Sequence, residues 1–240
     1  MEEAWDFDAA PLEFQQVQPF LLGLFAVSGT GWLVNYFTTI RTAFRDRTPG
    51  VSLIALTNNL AWELVFAIFH PPPLPIATII VRSWLLVDIF VLYTTVKFAR
   101  ASSNSPLLQR YLSLFVFGGT LGFFSGHWAL SLQLSPIEAF YWSGMMCLLT
   151  MSASALGMLI QRGHTRGTSY GMWLSRFIAS IFAVSSLFVR SSYWPQVWGW
   201  SDNILMRWFS GAFLVLDVSY GVCFWYTRQL EQEAGRQKQA

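Results

Sequence analysis

The stretch NNLAWELVFAIFH, residues 58–70, combines the two properties that decide the fold of this chain. It is apolar over most of its length, as expected of a helix inside a membrane. A carboxylic acid, Glu63, nevertheless stands in its middle. An ionisable group at such a depth is costly and marks a candidate functional site by default. The stretch therefore predicts a membrane helix that carries a functional acid.

The composition of the whole chain supports a membrane protein. Hydrophobic residues make up 54% of the 240 residues, whereas charged residues make up only 12%. Soluble domains carry about 25% charged residues. Most of the chain is therefore expected to lie in the lipid bilayer as one membrane domain. The net charge of +2 does not indicate a nucleic-acid partner.

Seven apolar stretches are long enough to cross the hydrocarbon layer, which takes roughly 20 helical residues. They do not alternate in polarity as the strands of a membrane barrel do. The sequence therefore predicts an all-α bundle of seven transmembrane helices over residues 18–226, with a polar segment at 1–17 and a tail at 227–240. The predicted spans are 18–40, 50–70, 74–97, 107–128, 137–161, 170–190 and 204–226.

The basic residues predict the orientation of the bundle. Eleven of the 15 Lys and Arg residues lie in or beside the first, third and fifth connections and in the tail. The positive-inside rule places these segments in the cytosol and the N-terminus outside the cell or in a lumen. We predict an integral protein of the endoplasmic reticulum membrane, with a lumenal N-terminus and a cytosolic C-terminus. The eleven residues are Arg41, Arg45, Arg47, Lys97, Arg100, Arg110, Arg162, Arg166, Arg228, Arg236 and Lys238.

Three acids stand out among the few ionisable residues inside the predicted spans. Glu63, Asp88 and Asp217 each lie deep in a span, where a short side chain cannot reach the interface. Each is therefore either a structural acid with a buried partner or a functional group. Charged residues nearer the ends of spans are expected to have structural roles, since they can approach the interface. These are His127, Glu138 and Arg207.

Neighbouring side chains refine the surroundings of the three acids. Asn59 lies one helical turn before Glu63, so its amide can hydrogen-bond the carboxyl group. The rings of Trp62 and Trp84 lie too deep for an aromatic belt, and they could present π faces to a cation. The candidate supporting or substrate-lining residues are Asn59, Trp62, Trp84, Asp88, Arg176 and Tyr220.

The sequence contains no motif for a metal or a cofactor. The three histidines lie in different segments, and no aspartate-rich run is present that would bind diphosphate through magnesium. Glycine-rich phosphate loops and nucleophile elbows are also missing. The remaining chemistry is that of a dry, aromatic pocket with a few carboxyl groups. Burial favours the protonated form of a carboxyl, which can then act as a general acid on a lipid-soluble substrate.

The residues by themselves leave two other functional classes open. A proton-coupled seven-helix transporter could use Glu63, Asp88 and Asp217 as a relay. Transporters of this kind show internal repeats or helices broken by Gly and Pro in matching halves, and neither feature is evident here. A receptor or scaffold would need the acids for structure alone.

Four blocks of sequence resemble a known enzyme family. The blocks are GWLVNY (31–36), NNLAWELVFA (58–67), RGHTRGTSYGMWLSRF (162–177) and LDVSYGVCFWY (216–226). In order and spacing they resemble the small integral-membrane terpene cyclases of fungal meroterpenoid and indole-diterpene pathways, the paxilline-type cyclases. The likeness extends from about Pro11 to Tyr226.

This resemblance implies acid-initiated cyclisation without metal or cofactor. In the family, a protonated acid opens the terminal epoxide of a prenyl chain attached to an aromatic or polyketide group, ring closures follow, and a proton is lost. The family's two essential acids match Glu63 and Asp217. The resemblance therefore implies that Glu63 donates the proton, and that Asp217 shares that proton, returns it or acts as a second acid. The expected partners are a lipophilic epoxy-prenyl aromatic substrate and the lipid bilayer.

Overall fold

The computed structural model describes residues 7–103 and 105–237, which fold as a bundle of α-helices without a β-strand. Of the residues that predict the orientation, only Lys238 lies outside the described part. The helices are α1 (Leu12–Asp46), α2 (Leu53–Leu64, continued by a π-helical turn at Val65–Phe69), α3 (Pro75–Ser102), α4 (Pro106–Gln133), α5 (Pro136–Arg162), α6 (Tyr170–Tyr193), the short α7 (Pro195–Trp198) and α8 (Ile204–Gln237).

Each predicted span coincides with a helix, and the all-helical class is confirmed. Six helices, α1, α3, α4, α5, α6 and α8, are long and apolar enough to cross a membrane. The helical segment Leu53–Phe69 is apolar but shorter than the others. Seven transmembrane spans therefore remain a prediction, of which six are supported by helix length and composition.

Two helices extend beyond the predicted spans at the ends of the chain. Helix α1 begins at Leu12 rather than at 18, and α8 continues to Gln237 rather than ending at 226. Hydropathy detects only the apolar part of a helix, whereas the backbone hydrogen bonds can continue into a polar extension. Residues 12–17 and 227–237 are therefore helical additions to the bundle, not irregular segments.

Serine side chains mark the beginnings of several helices. The Ser52 hydroxyl accepts a hydrogen bond from the Ala55 N–H at 3.2 Å, and so caps α2. At α5, Ser135 and Glu138 form a reciprocal capping box, in which the Glu138 carboxylate accepts the Ser135 N–H at 3.0 Å. Such caps satisfy the free N–H groups of the first helical turn. Glu138 thus has the structural role expected of a charged residue at a span end.

Helix α2 is the central element of the bundle. It packs against α3, α4 and α5, while α1 packs along α6 and α3, and α5 packs along α8. Every residue from Ala55 to Ala67 is buried except Leu64. A helix buried on all sides has protein rather than lipid around its polar side chains. The polar residues of the opening stretch can therefore find partners on neighbouring helices.

We expect the two ends of the chain to lie on opposite sides of the membrane, with the end after α8 in the cytosol. The measurement is protease protection of terminal tags in sealed microsomes. The N-terminal tag should be protected and the C-terminal tag cleaved, since the basic connections favour the cytosol. If Leu53–Phe69 does not cross the membrane, the remaining six spans place both ends of the chain on the same side. Both tags are then either cleaved or protected. That outcome would contradict the seven-span prediction.

Candidate active site

The Glu63 carboxyl is fully buried in the centre of the bundle, at 0% exposure. Its Oε1 atom accepts a hydrogen bond from the Tyr36 hydroxyl of α1 at 2.7 Å and another from the Asn59 amide at 3.1 Å. The second oxygen, Oε2, has no hydrogen-bond partner among the described residues. Within that part of the chain, no Lys or Arg forms an ion pair with Glu63. The acid is thus held by neutral groups.

Asn59 is the centre of a small polar cluster. Its Nδ2 atom lies 2.8 Å from the Tyr36 hydroxyl oxygen, 3.1 Å from Glu63 Oε1 and 3.5 Å from Asp88 Oδ2. The expectation that this amide binds the Glu63 carboxyl is confirmed. Because an amide carries two hydrogens, the three acceptors share them. The cluster therefore joins Tyr36 of α1, Asn59 and Glu63 of α2, and Asp88 of α3.

The structure places Asp88, rather than Asp217, next to Glu63. Both carboxyl groups contact the same Asn59 amide, and Asp88 is only 2% exposed. From sequence, Asp88 is a supporting candidate and Asp217 the acid expected to act with Glu63. The difference arises because α3 packs against α2, whereas α8 packs along α5. Two buried carboxyl groups in one cluster cannot both carry a charge cheaply, so they are suited to sharing a proton.

Asp217 is instead bound to Arg176. The carboxylate of Asp217, on α8, accepts hydrogen bonds from Nη2 of Arg176 at 2.5 Å and from Nε at 3.4 Å. Both side chains are buried, with exposures of 0% and 8%. The guanidinium carbon also lies 5.6 Å from the ring centroid of Tyr220. Arg176, a candidate supporting residue, therefore contacts both the second acid and Tyr220, another candidate supporting residue.

An aromatic cavity lies on one side of the Glu63 cluster. It contains about 920 Å³ of space between atoms, including its open mouth. The indole rings of Trp62 and Trp84 are 6.2 Å apart, and Trp62 is 4.8 Å from Phe140. The Trp62 indole N–H donates to the Phe140 carbonyl, and the Trp84 indole N–H donates to the Gly29 carbonyl, at 3.1 Å in each case. Both rings are therefore held in place. The aromatic cavity is also lined by Trp32, Tyr36, Asn59, Tyr141, Gly144 and Cys147.

A second cavity, of about 590 Å³, lies on the other side of the cluster, and we call it the polar cavity because the charged residues Asp88 and Arg176 line it. Tyr36 and Asn59 line both cavities, whereas Glu63 lines neither. Glu63, Tyr36 and Asn59 thus form a wall between an aromatic and a polar compartment. Its other lining residues are polar or glycine at Asn35, Thr39, Gly50, Ser52, Ser154, Thr168 and Tyr220, and apolar at Val51, Leu56, Val91, Met151, Ala155, Met158, Met172 and Trp173.

The charged residues near the span ends have structural partners, as expected. His127 lies with its Nε2 atom 2.8 Å from the Asn58 side-chain oxygen. Arg207 forms an exposed ion pair with Asp202 at 2.7 Å. Across residues 7–103 and 105–237, no group of three or more His, Cys, Asp or Glu side chains is placed to hold a metal ion.

Tyr36 is the member of the cluster that the sequence interpretation missed. It is the last residue of the block GWLVNY, which contributes to the family resemblance. Tyrosine is common near membrane interfaces, so its polar end attracts little attention in a pattern of apolar residues. Its position, four residues before the end of the predicted span 18–40, is ordinary for an interfacial tyrosine, so no local signal distinguished it.

The chain is similar to known proteins over nearly its whole length. A model of the Pyr4-like transmembrane terpene cyclases matches residues 5–230. Terpene cyclase cle7 of Aspergillus versicolor is 77% identical over 235 residues, which cover 97% of each chain. Terpene cyclase esdpB of Penicillium shearii is 58% identical over 234 residues, 97% of this chain and 96% of the relative. Terpene cyclase paxB of Penicillium paxilli is 37% identical over 235 residues, 97% and 96% of the two chains.

Proposed function

The chain belongs to the Pyr4-like transmembrane terpene cyclases, and from this membership we propose that Glu63 starts the cyclisation of an epoxidised prenyl chain by donating a proton. The family resemblance inferred from the four sequence blocks is confirmed. The proposed substrate carries an aromatic or polyketide group on its prenyl chain, and the product is a polycyclic meroterpenoid. Membership in a cyclase family favours an enzyme over the transporter and receptor alternatives.

The observation that carries this proposal is a fully buried carboxyl group whose two hydrogen-bond partners, Tyr36 and Asn59, are neutral and line an aromatic cavity. An unpaired charge in such surroundings is expensive. We therefore propose that Glu63 is protonated before the reaction starts. A protonated carboxyl in an apolar site is a general acid.

Tyr36 provides the path from Glu63 to the substrate. Its hydroxyl contacts Glu63 Oε1 at 2.7 Å and lines the aromatic cavity, which Glu63 itself does not line. A contact between two oxygens can pass a proton in either direction, depending on which oxygen carries the hydrogen. Glu63 can therefore donate to the Tyr36 oxygen while the Tyr36 hydrogen passes to the epoxide. The proton lost by the carboxyl is then the one gained by the epoxide oxygen.

The aromatic cavity suits the reaction that follows. As the epoxide oxygen gains a proton, one of its C–O bonds breaks, which leaves a hydroxyl group and a carbocation. The neighbouring double bonds then attack in turn to form C–C bonds, and the last cation loses a proton to water at the open mouth of the cavity. The faces of Trp62 and Trp84 can stabilise the cation, and a dry cavity prevents water from capturing it early. The product has the same atoms as the substrate.

For Asp217, the second acid of the resemblance, we propose a positioning role through Arg176. Both Asp217 oxygens contact the guanidinium, so the carboxylate is neutralised by a buried cation. Asp217 lines neither cavity, so its carboxylate does not face the space proposed for the substrate. Its proposed role is to hold Arg176 at the wall of the polar cavity.

The experiment that tests the proposed function uses the protein purified in detergent. A prenyl-aromatic compound with a terminal epoxide is incubated with the protein in excess EDTA, without nucleotide. Formation of a cyclic isomer of unchanged mass supports the proposal. Loss of turnover that returns with magnesium would contradict acid initiation without metal, and no isomer under either condition would contradict the cyclase assignment for this substrate class.

We expect Tyr36→Phe to slow cyclisation at least about tenfold, which is less than the full contribution of a positioned proton-transfer group. The ring remains and still fills its place, while the hydroxyl between Glu63 and the aromatic cavity is lost. Single-turnover rates measure the effect. The matched control is Tyr226→Phe, which removes an exposed hydroxyl on α8 and should leave the rate unchanged. Equal rates in both variants would rule out the path through Tyr36.

We expect Gly144→Leu to lower kcat/KM by about 10–10²-fold, because a misplaced substrate reacts slowly. Gly144 lines the aromatic cavity, and a Cβ there would lie 3.7 Å from the Trp62 indole. The first added carbon therefore fits, while the rest of the side chain occupies substrate space. The control is Gly122→Leu on α4, an exposed position with no atom within 4 Å of its Cβ. A fully active Gly144→Leu variant would show that the substrate does not occupy this part of the aromatic cavity.

A further inference from the structure

We infer that Asp88 and the polar cavity return a proton to Glu63 after each turnover. The inference rests on the proposed function, since it concerns the acid that starts the cyclisation. Cyclisation needs two conditions that conflict. Water must be kept away from the carbocation, yet the acid must regain a proton before it can act again. A wall with a dry aromatic compartment on one side and a polar compartment on the other meets both conditions.

The contacts of the cluster define this return path. Glu63 lines neither cavity, so a new proton must reach it through a neighbour. Asn59 brings Glu63 and Asp88 together, and Asp88 lines the polar cavity but not the aromatic one. In the proposed step, the O–H bond of a protonated Asp88 breaks and an O–H bond forms on the Glu63 carboxylate. Asp88 then regains a proton from a hydronium ion in the polar cavity, which replaces the proton that the last cation releases.

The polar cavity extends from this cluster to one end of the bundle. Gly50 and Ser52, in the connection between α1 and α2, line it. Thr168, in the connection between α5 and α6, also lines it. Connections between membrane helices adjoin water. Thr39, Ser154, Arg176 and Tyr220 provide polar groups along the way, between apolar side chains such as Leu56 and Met172, and in the proposed path water reaches Asp88 from that end without entering the aromatic cavity.

The experiment is rapid-quench measurement of product formed by Asp88→Asn with the epoxide substrate in excess. In stored enzyme Glu63 has had time to regain its proton, so the first turnover should keep the wild-type rate. Later turnovers should be at least about tenfold slower, since proton transfer limits them. The expected time course is a burst of about one product per enzyme followed by a slow phase, whereas the wild-type enzyme should show no burst.

A second variant tests the cavity without altering the cluster. Ser154→Leu places a bulky side chain in the polar cavity, and it should reproduce the burst and the slow phase. The matched control is Ala153→Leu, one residue earlier on α5, where the side chain is exposed and lines neither cavity. It should behave as wild type.

Three results would overturn the inference. A slow first turnover in Asp88→Asn would place Asp88 in the acid step or in the fold. An unchanged steady-state rate would leave Asp88 without a role. Product that stays bound to the enzyme after the burst, measured by rapid gel filtration, would assign the slow phase to product release. Failure of the proposed function looks different, because in that case wild-type enzyme forms no isomer or Glu63→Gln turns over normally.

Discussion

Glu63→Gln should fold normally and cyclise the epoxide substrate at least about 10²-fold more slowly than wild type, the low end of what general acid catalysis contributes. Glutamine keeps the size of the side chain and one oxygen that can accept from Tyr36 and Asn59. It has no acidic proton to donate. The rate of the first turnover is the quantity to measure, because it reports the protonation step and not the return of the proton.

Folding must be compared before the rates are interpreted. Monodispersity in detergent and the thermal unfolding midpoint of Glu63→Gln should match those of wild type, since the new amide satisfies the same neutral partners. The matched control is Gln133→Glu, an acid–amide exchange at the end of α4 and outside the two cavities, which should keep the wild-type rate. If well-folded Glu63→Gln cyclises at the wild-type rate, another acid starts the reaction.

Asp217→Asn should lose about 3–5 kcal/mol of stability along with most activity, because it removes one partner of a buried ion pair. Arg176 would keep its charge in a site with 8% side-chain exposure. An asparagine can accept one hydrogen bond but cannot neutralise the guanidinium. The measurements are the thermal unfolding midpoint in detergent and the cyclisation rate of the fraction that remains monodisperse.

Two comparisons make this prediction specific. Asp202→Asn breaks the ion pair with Arg207, whose side chains are 45% and 63% exposed, so its effect should stay below about 1 kcal/mol. Asp217→Asn combined with Arg176→Gln should be less destabilised than the sum of the single variants, since no buried charge is left unpaired. An Asp217→Asn protein as stable as wild type would show that the ion pair does not hold this part of the bundle together.

Local sequence was enough for the interactions that lie within one helix. The contact between Asn59 and Glu63 follows from their spacing of four residues, which places both side chains on one face of α2. The capping box of Ser135 and Glu138, which the structure shows, is equally local, because the two residues are three positions apart at the start of α5. Neither interaction depends on how the helices are arranged.

The partners of the acids across the bundle could not be predicted in this way. Asp88 lies 29 residues from Asn59, and Asp217 lies 41 residues from Arg176. Apolar periodicity shows that a segment is a helix in lipid, but the rotation of each helix depends on packing against its neighbours. A close fit such as that of Gly31 against Ala179, where an added Cβ would come within 2.8 Å, sets the approach of α1 and α6. No local pattern encodes that distance.

The sequence by itself determined the membrane class, the positions of the helices, the depth of the three acids and the family resemblance. These properties follow from apolar content, from the cost of a charge in lipid and from the order of short blocks. All three can be determined along the chain without knowing how the helices pack. Only the tertiary structure decided that Asp88 joins Glu63 while Asp217 binds Arg176, and that Tyr36 and Asn59 separate two cavities. Such contacts depend on which faces of neighbouring helices meet, and that choice is made by the packing of the whole bundle.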